Sequence, residues 1–237
     1  MDIFCRYSIH DKVSADLRQL VSLLVKDKQM QKKNLPDYHI GVKRPVFTDT
    51  YLQSLNKENL QILTNGIKKL TKNGILTKDG VEIEADVIIY ATGFDCFKSI
   101  LPFGVKGKRG VELDQLWGKS PKAYKGICVP EMPNFFLMFG PNTINNRVFM
   151  SECAANFVCD TILKLSLSNL SSIEVRKDKY DEYNKALRAG LKERTFGVTS
   201  GGFYANAEGE NWQLYPHSIL YYNWTTSAAQ EEEFIWN

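Results

Sequence analysis

The chain has 237 residues, with 30 basic against 27 acidic side chains for a formal charge of +3, and 43% of its residues are hydrophobic. That balance builds an ordinary folded core but gives too little positive field to hold nucleic acid by its phosphates, so no nucleic-acid partner is expected. Five cysteines, none in a Cys-x-x-Cys pair, and three histidines far apart in sequence argue against a disulfide scaffold or a metal site.

Reduced thiols and a cytoplasmic location are therefore expected. No apolar run approaches the roughly 20 residues that cross a bilayer, and Met1 to Tyr7 lacks an apolar signal-peptide core. In chain order, residues 11–33 read as a helix. Leu17, Leu20, Val21, Leu24 and Val25 recur at helical spacing, Ser14 is a candidate cap, and Leu35-Pro36-Asp37 breaks the pattern. The basic stretch Lys26 to Lys33, mixed with Asp27 and glutamines, is a solvated helix end rather than a phosphate patch. A loop covers 37–50, and a short helix with Asp49 as its cap covers 49–57.

Leu60-Gln61-Ile62-Leu63 is a strand candidate. Ile67 to Leu70, Asn73-Gly74 and Ile75 to Thr77 spell a hairpin with a primed turn, and Asp79-Gly80 turns the chain into a third strand, Val81 to Glu84. Next comes Asp86-Val87-Ile88-Ile89-Tyr90-Ala91-Thr92-Gly93-Phe94-Asp95. A short apolar run between turn residues predicts a buried parallel strand, and its small carboxyl-terminal residues would let backbone approach a ligand where open α/β sheets bind nucleotides. Taken alone, an ordinary buried strand followed by a glycine turn accounts for the run equally well.

Residues 95–130 are loop-rich. Pro133 to Phe139 predicts a second apolar strand, ending in Gly140-Pro141-Asn142-Thr143. A helix follows near 147–167, its apolar face carried by Val148, Ala155, Phe157, Val158, Ile162 and Leu165. Ile173 to Val175 is a short strand and 177–193 a polar helix. Residues 196–237, rich in glycine and aromatic side chains, yield no assignment, and Glu231-Glu232-Glu233 reads as a solvated tail.

Four segments now stand in a telling order: Pro36-Asp37-Tyr38-x-x-Gly41-Val42-Lys43-Arg44-Pro45, Asp86 to Asp95, Pro133 to Thr143, and Ile173-Glu174-Val175. Together they resemble the C-terminal half of flavin-dependent monooxygenases of the Baeyer–Villiger type, from about Leu35 onward. The resemblance implies an α/β chain holding part of a Rossmann-like fold with two dinucleotide-binding domains, a parallel sheet with a small antiparallel meander, its N-terminal FAD-binding part missing. Residues 1–94 would be the end of the NADP domain and 95–237 the returning part of the FAD domain with substrate-side loops.

The implied cofactors are FAD and NADPH, and the implied reaction puts one oxygen atom of dioxygen into a ketone, or onto the nitrogen or sulfur of an amine or thioether. Arg44 matches the family's active-site arginine. Charge developing on oxygen needs a permanent cation nearby, and a guanidinium stays charged at any working pH. Lys43 would face the nicotinamide cofactor, although a surface basic pair would also explain Lys43-Arg44. Ala91, Thr92 and Gly93 match the strand end near the cofactor. Gly140, Pro141 and Asn142 match a loop that approaches the flavin, where a strand-ending turn is the plainer account. Trp117 and Tyr124 are candidates for a substrate wall or for local packing, and Trp212, Tyr215 and Pro216 resemble the family's C-terminal aromatic region. There Gly202-Phe203-Tyr204 replaces the usual Trp-Tyr pairing, and His217 reads as a loop histidine.

One absence weighs on this assignment. No Gly-x-Gly-x-x-Gly occurs, and Gly104-x-x-Gly107-x-x-Gly110 has the wrong spacing for a loop that seats a pyrophosphate on a helix. Three readings follow: a fragment of a complete monooxygenase, an inactive chain that binds or regulates a complete homologue as a complementing partner, or an unrelated α/β reductase domain. The last predicts a phosphate loop and ranks behind the others.

Overall fold

The computed structural model describes residues 7–36, 38, 43–44, 46–93, 103–194, 204–206 and 208–237, with only the backbone for 7–10. Asp37, Gly41, Val42 and Pro45 around the basic pair, Phe94 and Asp95 after Gly93, Gly202 and Phe203, and the residues Cys5, Cys96 and His39 lie outside it. The described residues divide into two units. The smaller takes 11–36 and 46–93, and the larger takes 7–10, 38, 43–44 and 103 onward.

In the smaller unit the single helix expected over 11–33 is two, α1 (Tyr7–Leu24) and α2 (Lys28–Asn34). Asp27 causes the break. It takes an extended backbone, φ −77° and ψ 126°, and its carboxylate accepts the Met30 N–H at 2.7 Å, so a new helix starts there. Gln31, buried, donates to the Val25 carbonyl at 2.6 Å and the Ser22 carbonyl at 3.2 Å, covering acceptors that the end of α1 leaves open. Ser14 therefore sits inside α1 and does not cap it. Likewise Thr50, not Asp49, precedes α3 (Tyr51–Ser54), without a side-chain cap bond.

Leu60 to Leu63 forms no strand; Leu60 and Ile62 instead pack on a small core of Val21, Val25 and Leu55. The meander is as expected: β1 (Ile67–Leu70), β2 (Gly74–Thr77) and β3 (Glu82–Glu84) pair antiparallel in that order. Its first turn is not primed, because neither Lys72 nor Asn73 has a positive φ. Gly74 is needed for a different reason: a Cβ there would lie 1.9 Å from the Ile83 carbonyl oxygen of β3. Asp79 accepts from the Asn65 amide at 2.5 Å and from the Thr77 hydroxyl, which together hold its carboxyl below the usual range, the Thr77 bond contributing most.

Residues 86–93 then join no ladder, and their apolar side chains face solvent, Val87 at 77% and Ile89 at 85% exposure. The expected buried strand is absent for a simple reason. Parallel neighbours must return through crossovers of a dozen or more residues, and none does so here among the described residues.

The larger unit contains α4 (Leu113–Trp117), α5 (Arg147–Leu167), β4 (Ile173–Val175), α6 (Lys177–Lys192), α7 (Ile219–Thr225) and β5 (Phe234–Trp236). β4 pairs antiparallel with β5, Ile173 opposite Trp236 and Val175 opposite Phe234. One core gathers Ile127, Phe157, Ile173, Val175, Tyr180 and Phe234, and another gathers Met150, Cys153, Leu187, Leu191, Tyr215 and Tyr222. Asn146 caps α5 by accepting the Phe149 N–H at 3.2 Å.

Pro133 to Phe139 is irregular rather than a strand: Asn134 is left-handed, φ 56°, and the segment forms no ladder, its backbone bonds to other segments being Leu137 N–H to the Ile127 carbonyl at 2.8 Å and Asn134 N–H to the Ile173 carbonyl at 3.0 Å. The α/β class holds, but both sheets among the described residues are antiparallel. The acidic tail is also not simply solvated, since Glu233 accepts from Lys125 at 2.8 Å with the two side chains 19% and 7% exposed.

Candidate functional site

The predicted residues with the most built surroundings are Gly140, Pro141 and Asn142, which form one buried turn with Thr143. The Thr143 hydroxyl donates back to the Gly140 carbonyl at 2.6 Å. Asn142 is left-handed, φ 55°, a conformation asparagine tolerates better than most residues. Its backbone N–H donates to the Trp212 carbonyl at 2.9 Å, and its side-chain amide donates to Leu214 at 2.9 Å and Asn211 at 3.4 Å. The Ile144 N–H then donates to Gln213 at 2.9 Å and the Tyr215 N–H returns to Ile144 at 3.1 Å, a short parallel bridge.

Glycine at 140 has a packing cause. A Cβ there would stand 2.2 Å from the Gly126 carbonyl oxygen, and one on left-handed Gly126 would stand 2.2 Å from the Thr143 methyl. Two turns thus interlock and deliver the chain to the amino end of α5. There the positive end of a 21-residue helix, capped by Asn146, lies beside Arg147, whose guanidinium stacks 4.3 Å from the Phe139 ring. Trp212 and Tyr215 in the strip 211–215 carry a family resemblance, but its role as the partner of the Gly140 turn has no residue signature because the bonds go to backbone carbonyls.

Lys43 and Arg44 belong to the same unit and are exposed, the Lys43 ammonium resting 4.4 Å from the centroid of the Tyr38 ring. Ala91, Thr92 and Gly93 belong to the other unit and are exposed. Gly93 is left-handed, φ 80°, and among the described residues, its chain neighbours aside, no heavy atom comes within 4 Å of where a Cβ would stand.

Other candidates resolve as packing. Trp117 is buried and donates its indole N–H to the Lys122 carbonyl at 2.7 Å. Burial pushes the Cys128 thiol far up and the Cys153 thiol up, which keeps both unreactive. Among the described residues no group of His, Cys, Asp and Glu could hold a metal, and no helix is long and apolar enough to cross a membrane.

His217 packs edge-on against Tyr215 and Tyr221, at 5.5 and 5.3 Å between ring centroids. Burial, with Arg194 adding to it and Glu193 opposing, lowers its pKa from the ordinary histidine value. The unfolded chain then binds the proton more readily than the folded one, so stability falls as pH drops through about 6.5 and is regained above it. His217→Gln is expected to reduce the slope of melting temperature against pH between about 5 and 7. An unchanged slope would assign the pH dependence elsewhere.

No protein-family model matches the chain. It is 35% identical over 197 residues to a Baeyer-Villiger monooxygenase of Pseudomonas aeruginosa, covering 82% of this chain and 36% of the relative. It is 30% identical over 215 residues to the FAD-binding monooxygenase moxY of Dothistroma septosporum, covering 89% of this chain and 34% of that one. Among solved structures, an oxidized steroid monooxygenase bound to NADP superposes with a TM-score of 0.84 at 24% identity, over 95% of this chain and 44% of that chain. A closed cyclohexanone monooxygenase superposes with a TM-score of 0.86 at 22% identity, over 100% and 46%. The chain thus spans little more than a third of those curated relatives' length.

Proposed function

We propose, from the premise that the chain is a relative of the flavin-dependent monooxygenases of the Baeyer–Villiger type, that it acts with FAD and NADPH to insert one oxygen atom of dioxygen into a ketone. The ketone becomes an ester or lactone; the second oxygen atom leaves as water, with two electrons from NADPH and a proton. The observation that carries this reading is the interlocked Gly140–Thr143 turn leading into the amino end of α5, in a chain whose kinship to such enzymes covers most of its length.

The residues present are compatible with the cofactors: a side chain added at Gly93 would meet none of the described residues beyond its chain neighbours, and the positive end of α5 lies beside Arg147. In this reading the larger unit binds FAD, with Gly140, Pro141 and Asn142 positioning the end of α5. The smaller unit binds the nicotinamide dinucleotide along Ala91, Thr92 and Gly93. FAD supplies the oxygen-activating chemistry when bound. Lys43, resting on Tyr38, pairs with NADPH. Arg44 stabilises negative charge as it forms on the substrate oxygen.

A second reading has its own observation, the exposed apolar run Val87 to Tyr90. Such a run seeks covering polypeptide, either more of the same protein or a complete homologue that this chain would complement. Incubation with FAD, NADPH, cyclohexanone and isotopically labelled dioxygen tests both. Labelled lactone with NADPH consumption supports the enzyme. FAD binding without turnover on the ketone, on thioanisole or on a tertiary amine supports the complementing chain, and no FAD binding overturns both.

A further inference from the structure

We propose that the cavity between α6, α7 and the Tyr124–Lys125 turn binds a small, uncharged, ring-bearing molecule with one hydrogen-bonding group. Tyr124, a candidate above for a substrate wall or for packing, and Tyr215 line it, but Lys43, Arg44, Ala91 to Gly93 and Gly140 to Asn142 do not. Its volume of about 530 Å³ falls within the roughly 300 to 1,000 Å³ of typical small-molecule sites. Tyr183 comes from α6, Tyr221 and Trp224 from α7, and Tyr215 from the strip that pins the Gly140 turn.

Tyr183 and Tyr215 are held by neighbouring rings, while Tyr221 and Trp224 are more exposed. Tyr124 meets Tyr183 edge-on with centroids 5.2 Å apart, and Tyr215 meets Tyr222 edge-on at 5.2 Å. Walls of fixed aromatic faces and edges favour a flat ring and lose little side-chain freedom on receiving it.

The charge balance determines the rest of the ligand. Lys125 and Glu233 both line the cavity and pair with each other at 2.8 Å, the lysine side chain only 7% exposed. The lysine is fixed further by the Tyr222 hydroxyl, which donates to its carbonyl at 2.8 Å, and by the Tyr124 ring 5.0 Å away. An entering anion would have to draw Lys125 from Glu233, and an entering cation would have to draw Glu233 from Lys125. Breaking a buried pair is costly in either direction, so an uncharged guest is favoured. His217, whose burial favours the neutral imidazole, contributes one N–H donor and one acceptor to the lining, which suits a hydroxyl or carbonyl.

Calorimetric titration of the intact chain with 2-naphthol, and separately with anionic 2-naphthoate, tests the site. Saturable one-to-one binding of 2-naphthol is expected, with 2-naphthoate weaker by about tenfold or more. Ala186, which lines the mouth from an exposed position on α6, provides the control. A186W is expected to weaken 2-naphthol about tenfold or more while the thermal melt is unchanged. If A186W lowers the melt, Gln230→Trp on another segment of the lining carries the same expectation. Absence of saturable 2-naphthol binding, preference for 2-naphthoate, or full affinity in a folded tryptophan variant overturns the proposal.

Discussion

Arg44→Ala is expected to abolish oxygenated product while FAD reduction by NADPH continues at its normal rate. A guanidinium that acts only on charge formed during oxygen transfer lowers the later step and not the earlier one. Loss of one such donor typically costs about 10² to 10³ in rate. Arg44→Lys keeps the charge but loses the planar fork, and an intermediate rate is expected. Anaerobic stopped-flow reduction alongside product analysis separates the steps. Loss of reduction together with oxygenation would overturn the specific role. Arg44 is exposed, so a thermal melt of the variant should stay close to that of the parent, and a large drop would mark a structural role instead.

Gly140→Ala is expected to be strongly damaging to the larger unit. The added carbon would lie 2.2 Å from the Gly126 carbonyl oxygen, a backbone atom that no rotamer change can move. Gly126 cannot retreat freely, since its own hydrogen faces the Thr143 methyl, and Thr143 is bonded back to Gly140. Relief requires separating the two turns, which also loosens the bonds from Asn142 and Ile144 to the 211–214 strip. A cost of about 3 kcal/mol is expected, a fall in melting temperature of roughly 6–12 °C. Gly93→Ala provides the contrast. Its φ of 80° strains an alanine, but the space is open, so a cost nearer 1 kcal/mol is expected. Equal losses in the two variants would mean that the interlock is not what makes Gly140 necessary.

The difference between these two glycines shows where sequence reading stops. Both ended apolar runs and both were assigned to close approach of a ligand. The structure separates them: the space at Gly93 is open, while that at Gly140 is filled by another turn of the same chain. Nothing in Gly-Pro-Asn indicates which neighbour will approach, because that neighbour, Gly126, is brought there by the fold. The same holds for the acidic tail. Three consecutive glutamates read as solvent-facing, yet β5 pairing with β4 carries Glu233 to the otherwise buried Lys125.

The sequence by itself determined the features that depend on near neighbours along the chain. The strand at 173–175 and the antiparallel meander follow from local pattern and turn residues, and a helix over 147–167 was legible, although its buried face holds Met150, Cys153, Ala154 and Thr161 while the expected Val148 and Ile162 are exposed; the family kinship rests on short motifs. Tertiary structure alone decided features that need a partner distant in sequence: the β4–β5 sheet, the strip 211–215 against the Gly140 turn, the aromatic cavity, and the exposure of 86–93. The physical reason is that an apolar run specifies only that it should be buried. Whether it becomes a strand depends on another segment arriving to share its backbone hydrogen bonds, and no local pattern records that arrival.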